Sequence, residues 1–292
     1  MQRATLLTLL IIVFIPAISD AHIFGQATSD TAKVIIKKPN WKFSLQSGLN
    51  GTQAAYRKWN QGGVNNITAI GYTQGTGDFS RGVYRYSGKL NMRYGQSRLE
   101  DNEVRKSEDI IRFRNQFTRK FEDKRFGMVT HINFETQFDK GFNKNRDEIV
   151  SRFFAPAYLT ETIGFSYSPE DTDFEMDTGL ALKQTYIRDT NLSTRYGLDE
   201  GQRFQNEAGF SMIFKYEKQL MENVTYNGYL ETFSNVLKKL DSTDFTFNNE
   251  FTGRINQYLR ANLELAFQYN DSVTRALQIK QMLSIGFNYK IL

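Results

Sequence analysis

The 292-residue chain contains no cysteine, which excludes disulfide staples, a thiolate nucleophile and cysteine metal sites. Proline is scarce, 4 residues, beside 24 Phe and 15 Tyr. That balance opposes a disordered linker and favours strands. No apolar run reaches the ~18 residues a membrane-spanning helix needs. This does not exclude a barrel, half of whose strand residues are polar. Neither charge sign dominates: the net charge is +5, no run of five or six like charges occurs, and nothing points to nucleic acid.

The N-terminus has a basic lead at Arg3, an apolar run from Leu6 to Ile15 and a small-residue site at Ser19-Asp20-Ala21. This reads as a signal peptide over residues 1–21. Its removal takes away Arg3 and Asp20 and leaves the net charge unchanged. Residues 22–40 read as a periplasmic tail, and residues 41–292 as one domain.

That domain is organised by alternation. In the last stretch Leu277, Ile279, Leu283, Ile285, Phe287, Tyr289 and Ile291 share one parity, opposite Gln278, Lys280, Ser284, Asn288 and Lys290. A strand sends alternate side chains to opposite faces, so one face is apolar and the other polar. The same pattern runs through Trp41, Phe43, Leu45 and Leu49; through Tyr84, Tyr86, Leu90, Met92 and Tyr94; and through Ile111, Phe113, Phe117 and Phe121. It continues in Phe126, Met128, Ile132, Phe134 and Phe138. Asn66–Gln74 is a strand of weak pattern. Further strands are expected at 157–167, 174–186, 204–216, 224–234, 245–255 and 259–269.

The predicted fold class is all-β: a transmembrane antiparallel β-barrel of about 12 strands, with short periplasmic turns and longer extracellular loops. The short turns are expected near 76–81, 122–125, 168–172, 217–222 and 257–258, and the long loops near 55–65, 96–108, 139–155 and 188–202. Tyr84, Tyr167, Tyr216, Tyr226 and Tyr289 gather at the short-turn ends, and Tyr94, Tyr186 and Tyr269 at the other, as an aromatic girdle does. A soluble sandwich or lipocalin-like barrel also alternates, but its large apolar residues face a core and its strands are shorter.

Two resemblances follow. Ser284-Ile285-Gly286-Phe287-Asn288-Tyr289-Lys290-Ile291 resembles the C-terminal signal by which bacterial outer-membrane barrels are recognised for assembly, with Leu292 one residue beyond the usual end. Trp59-Asn60-Gln61-Gly62-Gly63-Val64-Asn65 and Phe153-Phe154-Ala155-Pro156-Ala157-Tyr158, with Gly164 and Pro169 following, resemble a domain-of-unknown-function family. Its members are predicted outer-membrane barrels of the Bacteroidota. The resemblance implies a Gram-negative outer-membrane location and supplies no catalytic residue.

The chemistry lies on the inward parity. Arg85, Lys89, Arg93, Arg112, Arg114 and Lys120 fall on two consecutive strands and predict a basic lumen wall. Glu175, Asp177, Glu207, Glu231, Glu250 and Glu264 predict an acidic wall opposite. Such walls orient charged or dipolar solutes in a pore, or else pair into a filling that closes the barrel; both readings stand. The expected partners are outer-membrane lipid, the barrel assembly machinery through the C-terminal strand, and small polar solutes.

His131 and Glu135 share an inward face, with Ser87, Ser166 and Ser211 as lumen hydroxyls, yet no catalytic motif joins them. An enzyme acting on lipid or lipopolysaccharide, with His131 as base, is the alternative from another class. A structural or assembly partner is a third. Asp139, Asn143, Asn145, Asp147 and Glu148 are oxygen ligands of the kind calcium takes, without a calcium-loop spacing. Gly62-Gly63 reads as a turn. No cofactor or metal is expected.

Overall fold

The computed structural model describes residues 40–54, 66–99, 104–143, 145–238 and 243–292. The expected leader, the tail up to residue 39 and the loop holding Gly62-Gly63 lie outside the described residues.

Fourteen strands are described: β1 (Asn40–Ala54), β2 (Asn66–Arg81), β3 (Tyr84–Leu99), β4 (Val104–Lys120), β5 (Phe126–Thr136), β6 (Gly141–Phe142), β7 (Ile149–Ser151), β8 (Ala157–Tyr167), β9 (Phe174–Tyr186), β10 (Phe204–Met221), β11 (Val224–Asn235), β12 (Asp244–Arg254), β13 (Leu259–Asn270) and β14 (Thr274–Lys290). Twelve of them close into an antiparallel barrel in the order β1-β14-β13-β12-β11-β10-β9-β8-β5-β4-β3-β2. The remaining two, β6 and β7, make a small hairpin between β5 and β8. Closure pairs the backbone around the ring and leaves no open sheet edge.

Side-chain parity fixes which face is which. On β14, Leu277, Ile279, Leu283, Ile285, Phe287 and Tyr289 are all exposed on the outside, as is Ile291 just past its end. Phe43, Leu49, Phe113, Phe117, Ile163, Phe165, Leu180 and Phe210 continue this exposed belt. The opposite parity carries Asn50, Thr118, His131, Asp177, Glu207, Ser211, Ser284 and Asn288, all buried inside the ring. This is the inverse of a soluble core, with the apolar side facing out.

Two outward asparagines are satisfied in the same way. Tyr86 donates to Asn115 at 2.7 Å, and Tyr226 donates to Asn249 at 2.7 Å. Each tyrosine lies over the glycine two residues on, Gly88 or Gly228, and that glycine is the register partner of the asparagine. A Cβ at either glycine would meet the hydroxyl at 2.7 Å, so a side chain there would displace the ring. At Gly164 and Gly179, which face each other on β8 and β9, a Cβ would run into the facing backbone.

The structure corrects several expected boundaries. β2 continues to Arg81, and the turn is only Gly82–Val83, with Gly82 at φ +59°. The pattern of β2 is weak because Ala69, Gly71, Thr73, Gly75 and Gly77 take its outward positions. The expected loop at 96–108 is largely strand, since β3 reaches Leu99 and β4 starts at Val104. β10 runs to Met221, so its turn is Glu222–Asn223. On the long-loop side the β13–β14 turn is short, spanning 271–273.

The loops at 137–156 and 187–203 fold against each other. Ala155, Ile187, Leu192 and Leu198 form a buried apolar cluster, with Tyr196 packed on it. Tyr196 donates to the Val150 carbonyl at 2.8 Å, Arg188 N–H to the Phe154 carbonyl at 2.7 Å, and Arg152 pairs with Asp189 at 2.9 Å.

Ring closure occurs at β1–β14, the shortest seam, with six register pairs from Gln46–Lys290 to Gly51–Ile285. Leu292 prolongs it, because its backbone N–H and carbonyl both bond to Leu45 at 3.2 Å. On the lumen side Asn288 donates to Tyr72 at 2.9 Å and to Gln46 at 3.2 Å.

Candidate functional site in the charged lumen

The strand registers place all twelve expected wall residues on the inward parity. The geometry then modifies the picture of two separate walls: charges of both signs interleave and meet across the lumen at several depths. An isolated charge in this low-dielectric interior would be costly, so cations reach for carboxylates on distant strands.

Toward the long-loop end, Arg93 on β3 donates to Glu264 on β13 at 2.8 Å and lies 3.9 Å from Glu108 on β4. Lys280 on β14 completes the cluster, 2.6 Å from Glu108 and 3.2 Å from Glu264. Glu250 on β12 is the register neighbour of Glu264. Lower down, Arg112 pairs with Glu135 at 2.6 Å. The Arg114 guanidinium sits 3.9 Å over the ring of Tyr229, a cation–π contact from β4 to β11. Tyr229 donates to Glu231 at 2.9 Å, and Asn133 on β5 donates to the same carboxylate at 3.3 Å.

The third level lies nearer the short turns. Lys215 on β10 donates to Gln116 on β4 at 2.6 Å, to Glu175 at 2.7 Å and to Asp177 at 3.4 Å. Gln116 also donates to Glu175 at 2.8 Å. His131 Nε2 is 2.9 Å from Asp177, with both side chains buried. Elsewhere Lys183 pairs with Asp244 at 2.6 Å, while Glu207 accepts from Asn235 at 3.0 Å and lies 3.4 Å from Lys238.

Three members of the expected basic wall stand apart. Lys120 donates to Ser168 at 2.8 Å. Arg85 and Lys89 make no ion pair among the described residues. Arg85 and Lys120 line a cavity of about 250 Å³ at the short-turn end, together with Lys42, Asp78, Ser80, Ser87, Gln116, Thr118, Ser166, Ser168 and Glu175.

Sequence reasoning missed Glu108, Lys183, Lys215 and Lys280, which tie the two charge sets together. Their parity was readable: Glu108 shares that of Arg112, Lys183 that of Asp177, Lys215 that of Ser211 and Lys280 that of Ser284.

His131 lies inside the ring against Asp177, so a lipid substrate outside the barrel would not reach it directly. No cluster of three or more metal-ligating side chains occurs among the described residues. In the oxygen-rich loop, Asn143 donates to Asp147 at 2.6 Å and Glu148 lies 3.5 Å from Arg195. Hydrogen bonds from the Lys140 N–H and the Tyr94 hydroxyl hold the Asp139 carboxyl below its ordinary range. Burial pushes the Tyr196 hydroxyl up to about 12.

Comparison with known proteins gives a limited kinship. Residues 52–142 match the model of a family described as "Protein of unknown function (DUF3078)". No curated protein shows significant similarity to the chain. Among solved structures, an outer membrane channel from Pseudomonas putida F1 is similar over 90% of this chain and 99% of its own, at 6% identity and a TM-score of 0.41. The NanC porin is similar over 83% of this chain and 98% of its own, at 6% identity and a TM-score of 0.41. The translocator domain of the autotransporter NalP from Neisseria meningitidis covers 84% of this chain and 86% of its own, at 10% identity and a TM-score of 0.34. The matching family model, over residues 52–142, is thus of a family of unknown function.

Proposed function

We propose that the chain is a passive outer-membrane barrel of a Gram-negative cell that admits or binds small polar solutes in its charged lumen. The exposed apolar belt supports a lipid surround, since an outward face of Phe, Leu and Ile would be costly in water. The family resemblance suggests the Bacteroidota. The C-terminal signature suggests delivery by the barrel assembly machinery.

The observation that carries the reading is the ladder of cross-lumen contacts, from Arg93–Glu264 through Arg114–Tyr229 to Lys215–Gln116. Polar groups that bridge a ring of strands present alternating donors and acceptors to whatever enters, and they narrow the path. A narrow, ion-selective conductor is expected rather than a wide diffusion pore.

Single-channel recording of the refolded chain in planar bilayers, at two salt concentrations, tests this. Small, steady steps are expected, and Glu264→Gln should enlarge them by releasing Arg93 from β13, while Lys280 keeps its 2.6 Å contact with Glu108. A folded, heat-modifiable barrel that stays silent would sink the pore reading. Such silence would favour a second one, a sealed barrel whose folded outer loops do the binding; the cluster around Ile187 supports that alternative.

A further inference from the structure

We infer that the cavity at the short-turn end is a binding site for a small oxyanion, of the size of phosphate or a short dicarboxylate. The inference rests on the barrel reading for its setting and names the ligand class of one part of the lumen.

The cavity has a closed inner end and a charged lining. Its inner end is the Gln116–Glu175–Lys215 network, in which donors and acceptors already satisfy one another. Its mouth lies beside the Gly82–Val83 turn, close to Ser80 and Arg85. Lys42, Arg85 and Lys120 line it, and none of the three makes an ion pair among the described residues. Arg85 lies close enough to Lys120 to repel it, and Glu175, Asp177 and Glu170 lie close enough to offset part of that repulsion. Holding like charges together in a partly enclosed space is unfavourable unless a counter-charge comes between them.

The carboxylates on the same lining supply it only in part. Glu175 is held by Lys215 and Gln116, and Asp78 accepts from Ser87 at 2.7 Å without an ion pair. Lys42, Arg85 and Lys120 face Asp78 and Glu175 on the lining, an excess of one positive charge, and Lys215 behind them is held by Glu175 and Asp177. Ser80, Thr118 and Ser168 bring hydroxyls to the same lining, and these suit an oxyanion with several acceptor lone pairs. A volume of about 250 Å³ admits phosphate or succinate.

The test is calorimetric titration of the refolded full chain in a non-ionic detergent with inorganic phosphate, succinate and glycine. Three variants accompany the wild type: Arg85→Gln within the cavity, Lys42→Gln at its exposed rim, and Lys124→Gln in an exposed turn outside it. Expected is saturable, one-site binding of phosphate and succinate, weakened about tenfold or more by R85Q and K42Q and unchanged by K124Q. If R85Q does not fold, K42Q carries the comparison alone.

No saturable heat from a wild type that is folded and heat-modifiable would overturn the proposal. Equal weakening by K124Q would do the same, because it would mean diffuse charge rather than a site. Tighter binding of glycine than of succinate would also overturn it, by pointing to a zwitterion. Failure of the pore reading is separable, since a barrel silent in bilayers can still titrate at this mouth.

Discussion

A tyrosine hydroxyl that caps an asparagine on a lipid-facing wall is a single contact with a large consequence. If Tyr226 were Phe, the Asn249 amide oxygen would lose its 2.7 Å donor while its side chain stayed buried. An unsatisfied buried polar group costs about 1–3 kcal/mol. Tyr226→Phe should lower the stability of the folded barrel by that order, and Tyr86→Phe by less because Asn115 is only partly buried, read as a lower urea midpoint for loss of the fast-migrating folded band on unheated gels. Little change in either would show that the asparagines find other partners. Asp177 is the second residue to remove. It meets His131 at 2.9 Å and Lys215 at 3.4 Å, so Asp177→Ala leaves the buried His131 ring without that partner and the partly exposed Lys215 with Glu175 as its remaining carboxylate. A hydrogen bond to a charged group contributes about 1.5–3 kcal/mol; Asp177→Ala removes both contacts and should cost at least that, and His131→Gln should cost less. Melting followed by circular dichroism would rank the two, and the reverse order would refute the assignment of Asp177 as the hub. Neither contact was readable from parity alone, which says that Asp177 and Tyr229 point inward but not how far Lys215 or Arg114 reach across.

At the level of strands and loops, glycines decide where walls approach and buried loop residues decide what stays closed. Gly164 and Gly179 face each other across β8 and β9 with no room for a Cβ, so Gly179→Val should force the strands apart and cut the yield of folded barrel sharply. A normal yield would mean that the register can slide. The cap formed by the 137–156 and 187–203 loops depends on Tyr196. Its hydroxyl titrates near 12, above the unfolded value of about 10. The protonated form is the one favoured by folding, so its contribution is complete below about pH 10 and disappears as pH rises through about 12. Protease nicking of these loops should therefore stay slow up to about pH 10 and accelerate above it, and Tyr196→Phe should shift that onset. Strand ranges were legible wherever bulky apolar residues alternate with polar ones; β8 and β9 begin and end where the alternation does. β2 was not, since small outward residues erase the contrast between faces. The cap was hidden too, because its apolar contacts join segments some thirty residues or more apart in the chain.

For the molecule as a whole, parity and loop-length asymmetry were enough to fix a ring of twelve strands, because every strand repeats one two-residue code and an even count returns the chain to its starting side. What parity cannot encode is the partner across the lumen, and there the two predicted walls turned out to be laced together. Closure itself has a consequence for how the ring is made. Every other neighbouring pair of strands in the barrel is consecutive along the chain or separated only by the small β6–β7 hairpin, whereas β1 must find β14 from the far end of the sequence. That encounter carries the largest loop-closure entropy and is rewarded by the fewest rungs. It should be the last seam to form and the first to part. A chain shortened by the final residues, removing Tyr289–Leu292, would lose the rungs to Gln46 and Ser47 and the bonds to Leu45. Such a chain should accumulate as an unclosed sheet with two free edges, prone to add strands from its neighbours. The terminus thus acts as a clasp, and the ring's lifetime is set by how firmly those few rungs hold.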